Sequence, residues 1–291
     1  MLTTGAGALI IATLAGVAIF LTYEGIPGIT ASSADIPGNV SFISYTWPLV
    51  FGTLLAAGLA LLIAMPLAIG VALFISHYAP RRLASPLGYL IDLLAAIPSV
   101  VYGLWGIYFL SPGMVPVFEW LNAHLGFLPF FSGPASVTGR TILTAAVVLS
   151  IMILPISTAL CREVFLQTPL AHQEAALALG ATRWEMVRMT VFPRGRSGMV
   201  SAAMLGLGRA LGETMAVAMV LSVSNVVSFN LISSVNPNTI AANIALQFPE
   251  ASGKQVNVLV ATGLVLFLIT FLVNFAARAV VGRRKEFSGA N

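Results

Sequence analysis

EAALALGATRWEMVRMTVFPRGRSGMVSAAMLGLGRALGE, residues Glu174–Glu213, joins a polar amphipathic stretch to an apolar one. In the first half, apolar Leu177, Trp184 and Val187 alternate with Glu174, Arg183, Glu185 and Arg188. Gly180 divides it into two short helices, and Thr182 with Glu185 three residues on forms a capping box for the second. Past Phe192-Pro193 the chain turns into an apolar helix carrying Arg209 and Glu213. The predicted element is a solvent-facing helical hairpin, residues 162–197, joined to a membrane span with two charges near its middle.

The rest of the chain fits that reading. Of 291 residues, 58% are hydrophobic and 8% charged, with a mean hydropathy of +0.96, whereas a soluble domain carries about a quarter charged residues. Each spanning helix needs roughly 20 apolar residues, so the length holds about six. An all-α integral membrane protein follows: one domain over 1–291, with spans at about 4–21, 48–77, 87–110, 140–160, 199–221 and 256–280. A signal peptide carries a basic n-region; no Lys or Arg precedes Arg81, so the first run is expected to be retained as a span. The stretch 23–47, with Gly25, Pro27 and Gly28, is expected to be a loop. So are the Pro- and aromatic-rich 111–139, lying along the membrane, and the polar 222–255.

Basic residues set the orientation. With six spans both termini share a side, and that side receives Arg81, Arg82, Arg162, Arg183, Arg188, Arg194, Arg196, Arg278, Arg283, Arg284 and Lys285, eleven of the 14. The hairpin and both termini are therefore expected in the cytoplasm. The basic residues are dispersed among loops, so the pI near 9.6 marks orientation and not nucleic acid. One cysteine, Cys161, excludes an internal disulfide.

Arg209 lies ten residues into its span, about 15 Å at helical rise, and a charge at that depth costs roughly 2.5–3.5 kcal/mol. Arg209 and Glu213 are four apart and are expected on one helical face, which Ala202 and Gly206 extend. One reading is an ion pair that pins two helices. The other is an anion path, in which arginine offers a planar fork of donors to phosphate or carboxylate. In that path Glu213 accepts the O–H of a protonated phosphate, which ionised sulfate lacks. Asp92 is expected to cap a helix, and Arg140 to mark a helix start. His77, His124 and His172 are scattered, so no metal site is expected. Neither lysine sits in a phosphate-binding loop and no nucleophile cluster occurs, so neither ATP hydrolysis nor other enzyme chemistry is expected of this chain. No two matching halves with broken helices are evident.

Glu174-Ala175-Ala176, Gly180 and Pro193 stand in the register of the EAA loop of binding-protein-dependent ABC importer permeases, which this hairpin resembles. Thr190 and Phe192 depart from the family's Ile and Leu. Gly206–Val217 and Leu93–Gly106 are similar to segments of phosphate importer permease subunits of the PstC type. The resemblance implies a six-span, type I ABC importer permease in the bacterial inner membrane. It implies no cofactor, with Glu174, Ala175, Ala176 and Gly180 coupling to a separate ATPase and Arg209 and Glu213 on the substrate path. The implied partners are a second homologous permease, two cytoplasmic ATPase subunits and an extracytoplasmic phosphate-binding protein. The alternatives are a sulfate or molybdate permease or, from another class, a proton-coupled secondary anion transporter, which needs no docking hairpin.

Overall fold

The computed structural model describes residues 2–285, with side chains at 3–80 and 82–279, and these are nearly all helical. The side chains of Arg81, Arg283, Arg284 and Lys285, used above for orientation, lie outside the described ones. Among the described residues, five helical segments are long and apolar enough to cross a membrane: Thr3–Ile29, Phe42–Tyr78, Ser99–Leu125, Ile142–Leu166 and Lys254–Ala279.

The centre of the fold is the pair α2 (Phe42–Leu73) and α6 (Ile142–Leu166). Alanines recur every fourth residue along α2, at Ala56, Ala60, Ala64, Ala68 and Ala72, and each is fully buried. A row of methyl groups on one helical face lets a neighbouring helix come close. Ser41 caps α2 by accepting the Ser44 N–H at 3.3 Å, and a π-helical turn, Phe74–Tyr78, ends the run.

α1 (Leu2–Ile29) continues eight residues past Leu21, through the glycines and proline expected to end it. The reason is tertiary. A Cβ on Gly25 would lie 3.3 Å from the Ala261 Cα, and one on Gly28 would overlap the Asn257 carbonyl. These glycines let α1 lie directly on α12 (Lys254–Lys285). Asn257 Nδ2 then donates to the Glu24 carbonyl at 2.9 Å and to its carboxylate at 3.0 Å.

The third apolar segment departs most from expectation. α3 (Arg81–Ala95) stops before Pro98, α4 (Ser99–Trp105) restarts immediately after it, and a π-helical turn at Gly106–Leu110 leads into α5 (Ser111–Leu125). Proline pushes the preceding residue out of the helical region, which explains the stop. The expected span 87–110 is thus cut at 96–98, and the expected surface loop is helical to Leu125. Phe118 is fully buried there, and Asn122 Nδ2 donates to the carbonyls of Phe131 and Gly133.

The hairpin forms as α7 (Leu170–Ala178) and α8 (Arg183–Met186). Gly180 has φ +87°. Its N–H bonds the Leu177 carbonyl at 3.0 Å while the Ala181 N–H bonds that of Ala176 at 3.2 Å, the paired bonds of a glycine-terminated helix. The capping box is present: Thr182 Oγ1 accepts the Glu185 N–H, and the Glu185 carboxylate accepts the Thr182 N–H at 2.8 Å. A π-helical turn, Val187–Val191, carries α8 without interruption into α9 (Phe192–Leu211). Ala176, Met186, Val187 and Val191 pack with Ala72, Cys161, Phe165 and Ala202 in one core cluster, so the hairpin is fastened to the bundle.

The expected fifth span, 199–221, is also divided. α9 ends at Leu211 and α10 (Met215–Val220) begins after three intervening residues. The expected loop 222–255 contains a further helix, α11 (Ile240–Gln247), capped by Thr239.

Candidate functional site

The two short helices that follow the breaks, α4 and α10, meet. α4 packs along α10, and glycines set the distance. A Cβ on Gly103 would stand 3.0 Å from the Ala216 Cα, and one on Gly106 would stand 2.7 Å from Val220 Cγ2 and 2.9 Å from Val148 Cγ2. Leu93–Gly106 and Gly206–Val217, the two stretches singled out in the sequence, therefore form one contact. Inside a membrane each break frees backbone groups that need partners. Tyr102 answers the first by donating its hydroxyl to the Leu94 carbonyl at 3.0 Å. Glu213 answers the second: its Oε1 accepts the Ala216 N–H at 3.1 Å, and Thr214 Oγ1 donates to the Gly212 carbonyl at 3.1 Å.

That arrangement corrects the expected geometry of the charged pair. Gly212 caps α9, so Glu213 lies beyond the helix that carries Arg209 and the two do not share a continuous helical face. Glycine weakens a helix interior by roughly 1 kcal/mol, and a carboxylate next to it can serve the following helix, which is where Glu213 is used. Glu213 is buried, at 9% exposure. Among the described residues the ion pair is Lys254–Asp35 at 3.3 Å, and Arg209 forms none with Glu213.

Arg209 is half-buried and has no hydrogen-bond or ion-pair partner among the described residues. It lines a cavity of about 670 Å³ between α6, α9 and α12, with Ile156, Ser201, Met204, Gly208, Asn274 and Arg278. Gly206 lies against Ser157 of α6, where an added Cβ would stand 3.0 Å from the Ser157 Oγ, and Ala202 is fully buried, so these small residues serve helix contact and do not leave space beside the charges. The guanidinium therefore stands at the edge of this cavity without a hydrogen-bond or ion-pair partner among the described residues.

Arg140 has a different role. Its Nη2 donates to the carbonyls of Met219 at 3.0 Å and Leu221 at 3.2 Å, closing the C-terminus of α10. Asn236, fully buried, holds the same corner: its Nδ2 donates to the carbonyls of Arg140 and Ser222, and its Oδ1 accepts the Ile142 N–H at 2.9 Å. Asn243 Nδ2 donates to the Tyr45 hydroxyl at 2.8 Å and that hydroxyl donates to Gln247 Oε1 at 3.2 Å, fixing α11 to α2. Asn236 and Asn243 carried no signal beyond lying in a polar segment.

On the hairpin, Glu174 and Ala175 are exposed, whereas Ala176 faces the core. A side chain on Gly180 would meet nothing within 4 Å, so the glycine answers the backbone and not crowding within this chain. Leu170, Leu177, Trp184 and Met189 are exposed around it, and Leu179 is 90% exposed.

The model of the family described as binding-protein-dependent transport system inner membrane component matches residues 64–286. The chain belongs to this family. Over 291 aligned residues the permease is 47% identical to phosphate transport system permease protein PstC 2 of Mycobacterium tuberculosis, covering 96% of this chain and 89% of that protein. It is 44% identical over 279 residues to phosphate transport system permease protein PstC of Mycobacterium leprae, covering 92% and 87%, and 40% identical over 303 residues to that of Xylella fastidiosa, covering 98% and 91%. Its fold is shared with a chain of an inward-facing MetNI methionine ABC transporter, with TM-score 0.56 and 17% identity over 83% of the permease and 95% of that chain. It is also shared with a chain of a bacterial ABC transporter that imports the acidic polysaccharide alginate, with TM-score 0.58 and 19% identity over 94% and 95%. The permease is a multi-pass inner-membrane transport subunit and not an enzyme. Membership implies a binding protein, a further permease chain and ATPase subunits.

Proposed function

We propose that this permease forms half of the pathway of an ATP-driven importer of inorganic phosphate. It stands beside a second, homologous permease, two ATPase subunits and an extracytoplasmic phosphate-binding protein. The observation that carries the assignment is the 47% likeness to a phosphate transport permease across 96% of the chain. The site supplies a matching chemistry. Arg209 lacks an internal acceptor, and a phosphate oxygen pair fits its planar donors. One Glu213 oxygen serves Ala216, and the other is the acceptor for the O–H of a protonated phosphate. Sulfate brings no such proton, so Glu213 favours phosphate.

The hairpin lies on the cytoplasmic side with both termini, following the eleven basic residues that gather there. Glu174 and Ala175, with Leu177, Leu179 and Trp184, present the ATPase with a small-residue helix edge in an apolar surround. Gly180 sets the turn, and Ala176 fastens the helix to the core behind it. Residues 183–211 form one continuous helical run through the π-helical turn at Val187–Val191, roughly 43 Å long. A push on the hairpin therefore moves Arg209 directly.

The test is radiolabelled phosphate uptake into vesicles carrying the complete complex, with excess sulfate as competitor. ATP-dependent uptake that sulfate does not block, lost in an Arg209→Gln complex that still assembles, is the expected result. Normal transport by that variant would reduce Arg209 to a structural group. Block by sulfate, or uptake without ATP, would overturn the assignment.

A further inference from the structure

Two cavities of this permease share one polar corner. The first is the 670 Å³ cavity that Arg209 lines; the second, of about 760 Å³, runs between α1 and α12. Asn274 and Arg278 belong to both. The second is otherwise mostly apolar, walled by Ile11 and Leu14 of α1 and Phe267 and Phe271 of α12. Its only charged wall is at Arg278, which is exposed and has no hydrogen-bond or ion-pair partner among the described residues.

Depth says what fits there. Lys254, paired with Asp35, begins α12. Arg278 is 24 residues further on, about 36 Å of helical rise, against a hydrocarbon core of roughly 30 Å. If one end of α12 lies at one interface, Arg278 lies at the other, at headgroup level. Phe267 is eleven residues back, about 16 Å deeper, close to half the core thickness and so to the reach of one acyl chain. The groove therefore has the length of a lipid tail, an apolar wall along it and a lone cation where a phosphate would sit. The Asn274 amide donates to the Thr270 carbonyl, which leaves its own oxygen to accept a headgroup hydroxyl.

We infer that the α1–α12 groove binds an anionic phospholipid, one acyl chain between Leu14 and Phe271 and the phosphate on Arg278. A lipid is favoured over a protein segment because it supplies both a tail of this length and an anion at this depth. The bound phosphate lies at the edge of the cavity that Arg209 lines, so the lipid shapes the field around that path. The inference needs no assumption about what the importer carries.

The complete complex, reconstituted with mixed phosphatidylglycerol and phosphatidylcholine and then extracted, is examined by native mass spectrometry. The same spectra report whether it is intact. Wild type retains phosphatidylglycerol over phosphatidylcholine; Arg278→Gln lowers that retention roughly fivefold, the effect of one surface cation on an anionic lipid, and Arg278→Lys restores most of it. Leu14→Trp, which fills the groove, lowers retention of both lipids. Millimolar inorganic phosphate leaves the bound lipid in place. Equal retention in Arg278→Gln overturns the inference. So does displacement of the lipid by inorganic phosphate, which would make the corner a station for the free ion, or a photoreactive residue at position 14 that links to the second permease and not to lipid. None of these readouts uses transport, so failure of the phosphate assignment would leave them unchanged.

Discussion

Arg209 and Glu213 are separated by a helix end, and that separation gives each a distinct test. Lysine at 209 keeps a charge but loses the planar fork, so Arg209→Lys is expected to lower phosphate uptake by at least about tenfold while the complex assembles normally. At 213 the carboxylate holds the Ala216 N–H, and glutamine can hold it too through its amide oxygen. Glu213→Gln is therefore expected to leave the melting temperature of the complex unchanged and to narrow the preference for phosphate over sulfate in a competition assay. Glu213→Ala leaves a buried N–H without a partner, a loss of about 1–3 kcal/mol that a thermal melt will show.

At the level of the element, the hairpin depends on a left-handed turn and a capped helix. Gly180→Ala keeps the open space around the residue but places a Cβ at φ +87°, which costs about 1–2 kcal/mol. The expected outcome is faster local hydrogen exchange over α7 and α8, with uptake per ATP hydrolysed reduced. The capping box also has a pH signature. The backbone and hydroxyl of Thr182 hold the Glu185 carboxyl below the ordinary value of 4.5. A depressed pKa contributes stability that is fully present above the unfolded value and is lost as pH falls through the folded one. Exchange protection of the Thr182 amide should accordingly be flat from neutral pH down to the ordinary carboxylate range and fall only in more acid solution; protection lost between neutral pH and that range would contradict it.

Across the whole molecule, close approach is delivered by small residues. The alanine row of α2 meets α6, Gly25 and Gly28 seat α1 on α12, and Gly103 and Gly106 bring α4 to α10. Gly106→Leu would drive a side chain into Val148 and Val220 at the junction of three helical segments, where overpacking costs typically 1–3 kcal/mol. The variant complex is expected to melt lower and to lose uptake even with Arg209 intact. The same mutation at Gly58, which faces open space, serves as the control and should leave both unchanged.

Composition and local chemistry were enough to determine that this chain is helical and membrane-embedded, where its hairpin turns, and which residues cap it. Apolar run length, the Gly180 turn and the Thr182–Glu185 box act within a few residues of themselves, so each was legible in the sequence. The unusual charge at Arg209 was legible for the same reason. Tertiary structure alone decided the rest. Gly25, Pro27 and Gly28 read as a loop until α12 was seen to use the glycines for contact. Pro98 and Gly212 became paired helix breaks only once α4 and α10 were seen to pack together. Asn236 and Asn243 acquired roles through partners roughly 14 to 200 residues away in the chain, because a buried amide takes its meaning from whichever backbone groups the fold leaves without a partner beside it.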